Sequence, residues 1–229
     1  MSEQNRPHSA EFDQYMEQKT TYEKAAGITN LALCLGGVAM KFASVERVPR
    51  YTPETRENDA EHSYMLALVA AEIADQYFPE LDSGLVGKFA IVHDLLELET
   101  GDVATFGISD SDLAAKHQAE SSAKDRLLKR LPRSTGLLLE TYEQQDVPEA
   151  RFVRFIDKLL PLVVDILGPG SQVMHQDYNT HTKEQLIATE RKMAERFARM
   201  FPDPELSALH IARNSLANIF STLFIESKA

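Results

Sequence analysis

The chain contains a single cysteine, Cys34, so no intramolecular disulfide can form, which fits a reducing compartment. It has no run of about eighteen apolar residues, so no membrane span is expected. The opening residues, MSEQNRPHSAEFDQYMEQ, lack the basic-then-apolar layout of a secretory signal, and the expected location is cytoplasmic. Cations are scarce beside acids, 24 Lys and Arg against 35 Asp and Glu, for a formal net charge of −11. Grip on a nucleic-acid backbone rests on clustered Lys and Arg, so this balance argues against polymeric nucleic acid as a partner. It leaves small anionic substrates open, because a few local cations and a metal can outweigh the global sign. Internal repeats, low-complexity tracts and Gly/Ser-rich linkers are absent, and no segment alternates convincingly like a strand.

What is present is helical periodicity. Residues 20–44 carry Leu31, Leu35, Val38 and Phe42 at helical spacing, which predicts a buried stripe around Cys34. VPRYTPETREND reads as a loop. A helix is expected from Asp59, as N-cap, to Phe78, where Pro79 stops it. Residues 84–100 are apolar around the whole circumference, which predicts one central helix ended by Gly101. Further helices are expected over 112–131, 135–145, from Val147 onward with Asp146 as cap, then over 181–200 and 204–227, with 170–179 a loop. The fold class is all-α. The expected organisation is a polar segment over 1–19, a helical core over 20–169, and C-terminal helices over 170–229 packed on that core.

Charge inside the most apolar helix is the informative exception. In VHDLLELETGD, His93 and Asp94 are neighbours, and Glu97 shares their side of a helix. Burying several carboxylates is unfavourable unless a cation or hydrogen-bond donors compensate. A divalent ion would compensate, and a mixed imidazole and carboxylate set suits first-row transition metals. His62, at the start of its helix, is the second imidazole. Asp157 interrupts the apolar stripe of Phe152, Ile156, Leu159 and Leu160, with Pro161 predicting a kink four residues on. Taken singly, each residue also has an ordinary reading, as a satisfied core histidine, a wet helix edge or half of an ion pair. Glu99 is expected to face solvent or a neighbouring helix.

His62, His93-Asp94 and Asp157, in that order, resemble the H…HD…D signature of the HD-domain metal-dependent phosphohydrolases. ENDAEHS, HDLLELETGD and VRFIDKL are similar to the 5′-deoxynucleotidase branch, as is Arg47, fifteen residues before His62. The resemblance covers roughly residues 30–165. It implies an HD-domain helical bundle with a C-terminal helical extension, and one divalent ion (Co, Mn, Zn, Fe, Ni or Mg) on His62, His93, Asp94 and Asp157. It also implies hydrolysis of deoxyribonucleoside 5′-monophosphates to deoxynucleoside and phosphate by attack of metal-bound water, with Glu97 and Asp102 as non-ligand acids and Arg47 at the phosphate. Which acid orients water and which serves the leaving oxygen is left open. The branch further implies a homo-oligomer, most simply a dimer, with a small nucleotide as substrate.

Two departures bear on selectivity. Bacterial members often carry tryptophan after the arginine, where this chain has Val48 and no tryptophan anywhere; VATFGISD follows GD in place of a Pro-Thr-rich loop. A triphosphohydrolase or pyrophosphohydrolase, drawing on Arg50, Arg56 and Lys116, is the alternative activity. A nucleotide-binding HD domain without turnover is the third reading.

Overall fold

A computed structural model of the chain describes residues 10–101 and 123–227, and these fold into helices with one small two-stranded sheet. The chain divides into two units, Met1–Met40 and Lys41–Ala229. The first is essentially the helix α1 (Ala10–Phe42). Of its expected buried stripe only Phe42 is buried and Val38 half-buried: Leu31 and Leu35 are exposed, as are Ile28 and Leu33, and Cys34 is only half-buried. Met16–Phe42 is long and apolar enough to cross a membrane by length and composition. Interspersed glycine, threonine and asparagine keep its apolar residues from forming one unbroken run.

The second unit opens with the strands β1 (Glu46–Arg50) and β2 (Arg56–Asn58), an antiparallel pair where a loop was expected. Their brevity and two prolines hide any alternating pattern. The pair delivers the chain to α2 (Asp59–Tyr77), whose N-cap is Asn58 rather than Asp59. Asn58 Oδ1 accepts from the Glu61 N–H at 3.0 Å, and Glu61 returns a bond to the Asn58 N–H at 3.2 Å. That reciprocal arrangement satisfies two otherwise orphaned donors. It leaves the fully buried Asp59 side chain available to the site.

The predicted helix over 84–100 is two helices, α3 (Ser83–Val92) and α4 (Glu97–Thr100). Between them the backbone tightens to bonds three residues apart, such as Glu97 N–H to the Asp94 carbonyl at 2.8 Å. The cause is local: the His93 imidazole Nδ1–H donates to the Ala90 carbonyl at 2.9 Å, taking an acceptor that a continuing helix would use for Asp94.

After residues 123–128, also helical, come α5 (Arg133–Gln144) and α6 (Pro148–Leu167). The N-cap of α6 is Val147, and Asp146 makes no side-chain cap; its carbonyl accepts from Arg151 instead. α6 continues through Pro161 to Leu167. The expected loop over 170–179 contains α7 (Gly170–Gln176), held close to the end of α6 because a Cβ on Gly170 would lie 2.7 Å from that of Asp165. α8 (Lys183–Met200) and α9 (Ser207–Leu223) finish the unit.

α3 packs on α2, α5 and α6. The core between them includes Leu66, Phe89, Phe152, Phe155 and Leu160, completed by Phe197, Phe201 and Leu209 from the C-terminal part of the chain. α6 is therefore buried from both sides, and Asp157 sits at its middle.

Candidate metal centre

Three elements converge on one point. His62 comes from the first turn of α2, His93 and Asp94 from the break after α3, and Asp157 from α6. One donor atom from each lies within 4.8 Å of every other. His62 Nε2 is 3.0 Å from Asp157 Oδ1, and His93 Nε2 is 2.8 Å from Asp94 Oδ2 and 3.6 Å from Asp157 Oδ1. Donors bonded at about 2 Å to a common ion stand roughly 3 Å apart, so these separations suit one.

The imidazoles are oriented for it. Because His93 Nδ1 carries the proton given to Ala90, Nε2 is the nitrogen left facing the carboxylates, and it would offer its lone pair to an ion that displaces its proton. That Nε2 is buried and stands 2.8 Å from Asp94 Oδ2. His62 Nδ1 faces Glu57 Oε2 at 3.4 Å, the carboxylate support common behind metal-binding histidines. The residues present fit a divalent ion held by two imidazoles and two carboxylates.

The field of the cluster says the same. Burial by itself presses His93 toward neutrality, but the charges of Asp94 and Asp157 and their hydrogen bonds lift it to about 10. Burial likewise opposes ionisation of Asp157, yet Lys158 and the two histidines hold it well below the usual carboxylate range. The carboxylates are thus held ionised, and the negative field that favours a proton on His93 favours a bound cation by the same attraction.

Beside this cluster lies a second set of acids, Asp59, Asp94 and Glu97. The guanidinium of Arg47, from β1, meets it. Its Nη1 donates to Asp94 Oδ2 at 2.8 Å and Asp59 Oδ1 at 3.0 Å, and stands 3.9 Å from Glu97 Oε2. Its Nε faces Glu57 Oε2 at 3.3 Å. Arg47 thus neutralises acids that would otherwise repel one another in a buried setting.

Of the residues singled out in the sequence, His62, His93, Asp94, Glu97, Asp157 and Arg47 come together. Asp102 lies outside the described residues, as does Lys116. Glu99 turns away and pairs with Arg126 and Arg130. Arg50 and Arg56 both pair with Asp177. Sequence reasoning missed Glu57 and assigned Asp59 to a cap. The pattern E-x-D before a helix was the available signal, masked because Asp and Asn are both good caps.

It also missed Asp165. Asp94, Glu97 and Asp157 line a cavity of about 160 Å³ that runs along α6 past Pro161 and Leu162 to Asp165. Burial, with Glu190 and Glu57 nearby, pushes the Asp165 carboxyl up to about 8. The folded protein therefore keeps a proton that the unfolded chain releases near 3.8. The stability this contributes is full below that value and is lost as pH rises through about 8, at a limiting rate on the order of 1 kcal/mol per pH unit. Thermal unfolding at pH 5 and pH 8 checks it: Asp165→Asn is expected to lose less stability across that interval than the parent chain.

Similarity to known proteins follows the site. The chain is 31% identical over 123 residues to the 5′-deoxynucleotidase HDDC2 of Homo sapiens, covering 50% of this chain and 58% of that one. The Xenopus laevis HDDC2 is 30% identical over 123 residues, 50% of this chain and 59% of the relative. The 5′-deoxynucleotidase hdd1 of Schizosaccharomyces pombe is 31% identical over 114 residues, 46% and 54%. The chain thus spans a little over half the length of the curated relatives it matches. A solved structure, described as a predicted metal-dependent phosphohydrolase from Magnetospirillum magnetotacticum MS-1, superposes with a TM-score of 0.61 at 23% identity, over 85% of this chain and 96% of that one, and shows the shared fold. Residues 41–201 match the family model of the HD domain. A match over that much of the chain settles the kinship: this protein is a member of the HD-domain family.

Proposed function

We propose that the protein is a divalent-metal-dependent phosphohydrolase releasing phosphate from (deoxy)ribonucleoside 5′-monophosphates. The observation that carries this reading is the meeting of His62, His93, Asp94 and Asp157 beside a cavity lined by Asp94 and Asp157 together with Glu97 and Arg47. The relatives named 5′-deoxynucleotidases support it. A divalent ion bound there supplies a Lewis acid for the phosphoryl oxygens and a water of lowered pKa.

The chain's own residues do the rest. Arg47 presents a planar fork of donors that matches phosphate geometry. Glu97, buried at the cavity wall, holds or gives a proton at the leaving 5′-oxygen, a role it shares by sequence position with Asp102. Lys158, 3.1 Å from Asp157 Oδ2, keeps that carboxylate ionised.

A longer phosphate chain is less well served. Arg50 and Arg56 are engaged by Asp177. A non-catalytic binder has no use for Glu97 beside the ion site. A panel of nucleoside mono-, di- and triphosphates, each with Mn²⁺, Co²⁺ or Mg²⁺, tests the reading by product. Orthophosphate from monophosphates is expected; tripolyphosphate or pyrophosphate would replace it with the longer-chain alternative.

The active assembly in this reading is a homodimer, for which the exposed apolar side of α1 offers surface. Light scattering on the full chain should give twice 25.7 kDa; a mass of one chain contradicts it.

A further inference from the structure

Asp165 has no part in the chemistry just described, yet it is built into the cavity with care. It is 8% exposed, and among the described residues its Oδ1 has no hydrogen-bond partner. An unpartnered buried polar atom is unfavourable for folding, so its persistence calls for a ligand or another use. The close approach of Gly170 fixes where its backbone lies.

The route to it is defined. Asp157, Lys158, Pro161, Leu162 and Asp165 recur along one side of α6 and all line the cavity. Eight residues of helix separate the ion site from Asp165 by about 12 Å, the scale of a nucleotide from phosphate to base edge. Space for one water is roughly 10–15 Å³ on the same measure, so the cavity of about 160 Å³ holds a group far larger than a water.

The charges at the far end select what that group is. The Arg213 guanidinium, stacked 5.2 Å over the Phe197 ring, is bonded to the Glu190 carboxylate and to its backbone carbonyl at 3.3 Å. Its charge is therefore met by Glu190. Among the described residues Asp165 has no cation paired with it, and the groups that act on it, Glu190 on α8 and Glu57 on β2, are acids. Arg196 also lines the cavity, and burial with Glu190 and Glu57 nearby favours the uncharged Asp165 carboxyl, so this end offers an uncharged hydrogen-bonding edge suited to a neutral, flat, polar-edged group.

We propose that this end of the cavity is a nucleobase subsite, in which the Asp165 carboxyl hydrogen-bonds the polar edge of the base while Pro161, Leu162, Met174 and Met193 lie against its faces. Adjustable methionine side chains suit contact with rings of either size. The subsite rests on the nucleotide reading given above and deepens it: the base, and not the phosphate alone, fixes the substrate.

The experiment uses the full chain supplied with Mn²⁺ for hydrolysis and Mg²⁺ for NMR, with methyl-labelled methionine. Deoxyadenosine and deoxycytidine should shift the Met174 and Met193 methyl signals, whereas 2-deoxyribose 5-phosphate and inorganic tripolyphosphate should not. Asp165→Leu should weaken deoxynucleoside binding by at least about tenfold, the size of one lost hydrogen bond to a buried partner. Asp165→Asn, which keeps one donor and one acceptor, should bind nearly as the parent does. Hydrolysis of 2-deoxyribose 5-phosphate should be unchanged in both variants. Methyl shifts caused by tripolyphosphate, or by no nucleoside, overturn the subsite, as does unaltered binding in Asp165→Leu. Should that variant not fold, the methyl shifts of the parent chain decide alone. Nucleoside binding without phosphate release from any ester would leave the subsite standing and sink the phosphatase reading instead.

Discussion

Asp94→Ala, supplied with divalent metal, is expected to release phosphate from deoxynucleoside monophosphates at least about 10³-fold more slowly than the parent, a change of about 4 kcal/mol in barrier. The size follows from the position of Asp94, which belongs to both acid groups of the site. Its Oδ2 is 2.8 Å from His93 Nε2 and 2.8 Å from Arg47 Nη1. Its removal takes away an ion ligand and the acceptor that fixes Arg47 at once. Metal analysis separates this from a purely chemical defect: Asp94→Ala should lose bound metal along with rate. Glu97→Gln should retain the metal and lose rate, by about 10²–10⁴-fold as for a general acid or base. Equal metal content and equal rate in Asp94→Ala and the parent would contradict the ligand assignment.

Arg47→Ala is expected to be the most destabilising single change at the site. Arg47 faces Glu57, Asp59, Asp94 and Glu97, and its own side chain is 10% exposed. Removing one partner of a buried ionic group leaves the other charges uncompensated, at roughly 3–5 kcal/mol. For a chain of this size that corresponds to a fall in Tm on the order of 10 °C. Arg47→Lys restores the charge but not the fork that spans two carboxylates, so it should recover much of the Tm and little of the activity. Calorimetry and initial rates on the two variants make the distinction. A Tm for Arg47→Ala within a degree or two of the parent would show that the acids are compensated by other means.

How much of this was legible in the chain depended on whether its signal was local. The convergence of His62, His93, Asp94 and Asp157 was readable because charge within an apolar helix has few explanations, and because four such residues recur in a family order. All-α architecture was readable from period alone. The break between α3 and α4 was not, since it arises when the His93 ring takes the Ala90 carbonyl, a competition invisible to periodicity. Asn58 displaced Asp59 as cap for a similar reason: two good capping residues are adjacent, and only the return bond from Glu61 chooses between them. Glu57 and Asp165 were hidden because their meaning comes from strands and helices distant in sequence. The stripe expected on α1 had the right spacing, but spacing does not say whether anything within the same chain covers it.

The central claim joins an ion to an activity, and one sample can report both. The full chain, purified with divalent metal and freed of excess, should carry one ion per chain and release orthophosphate from deoxynucleoside 5′-monophosphates, with rate and metal content lost together on chelation and restored together on replenishment. A protein that holds its ion and releases no orthophosphate from any nucleoside monophosphate would contradict the account.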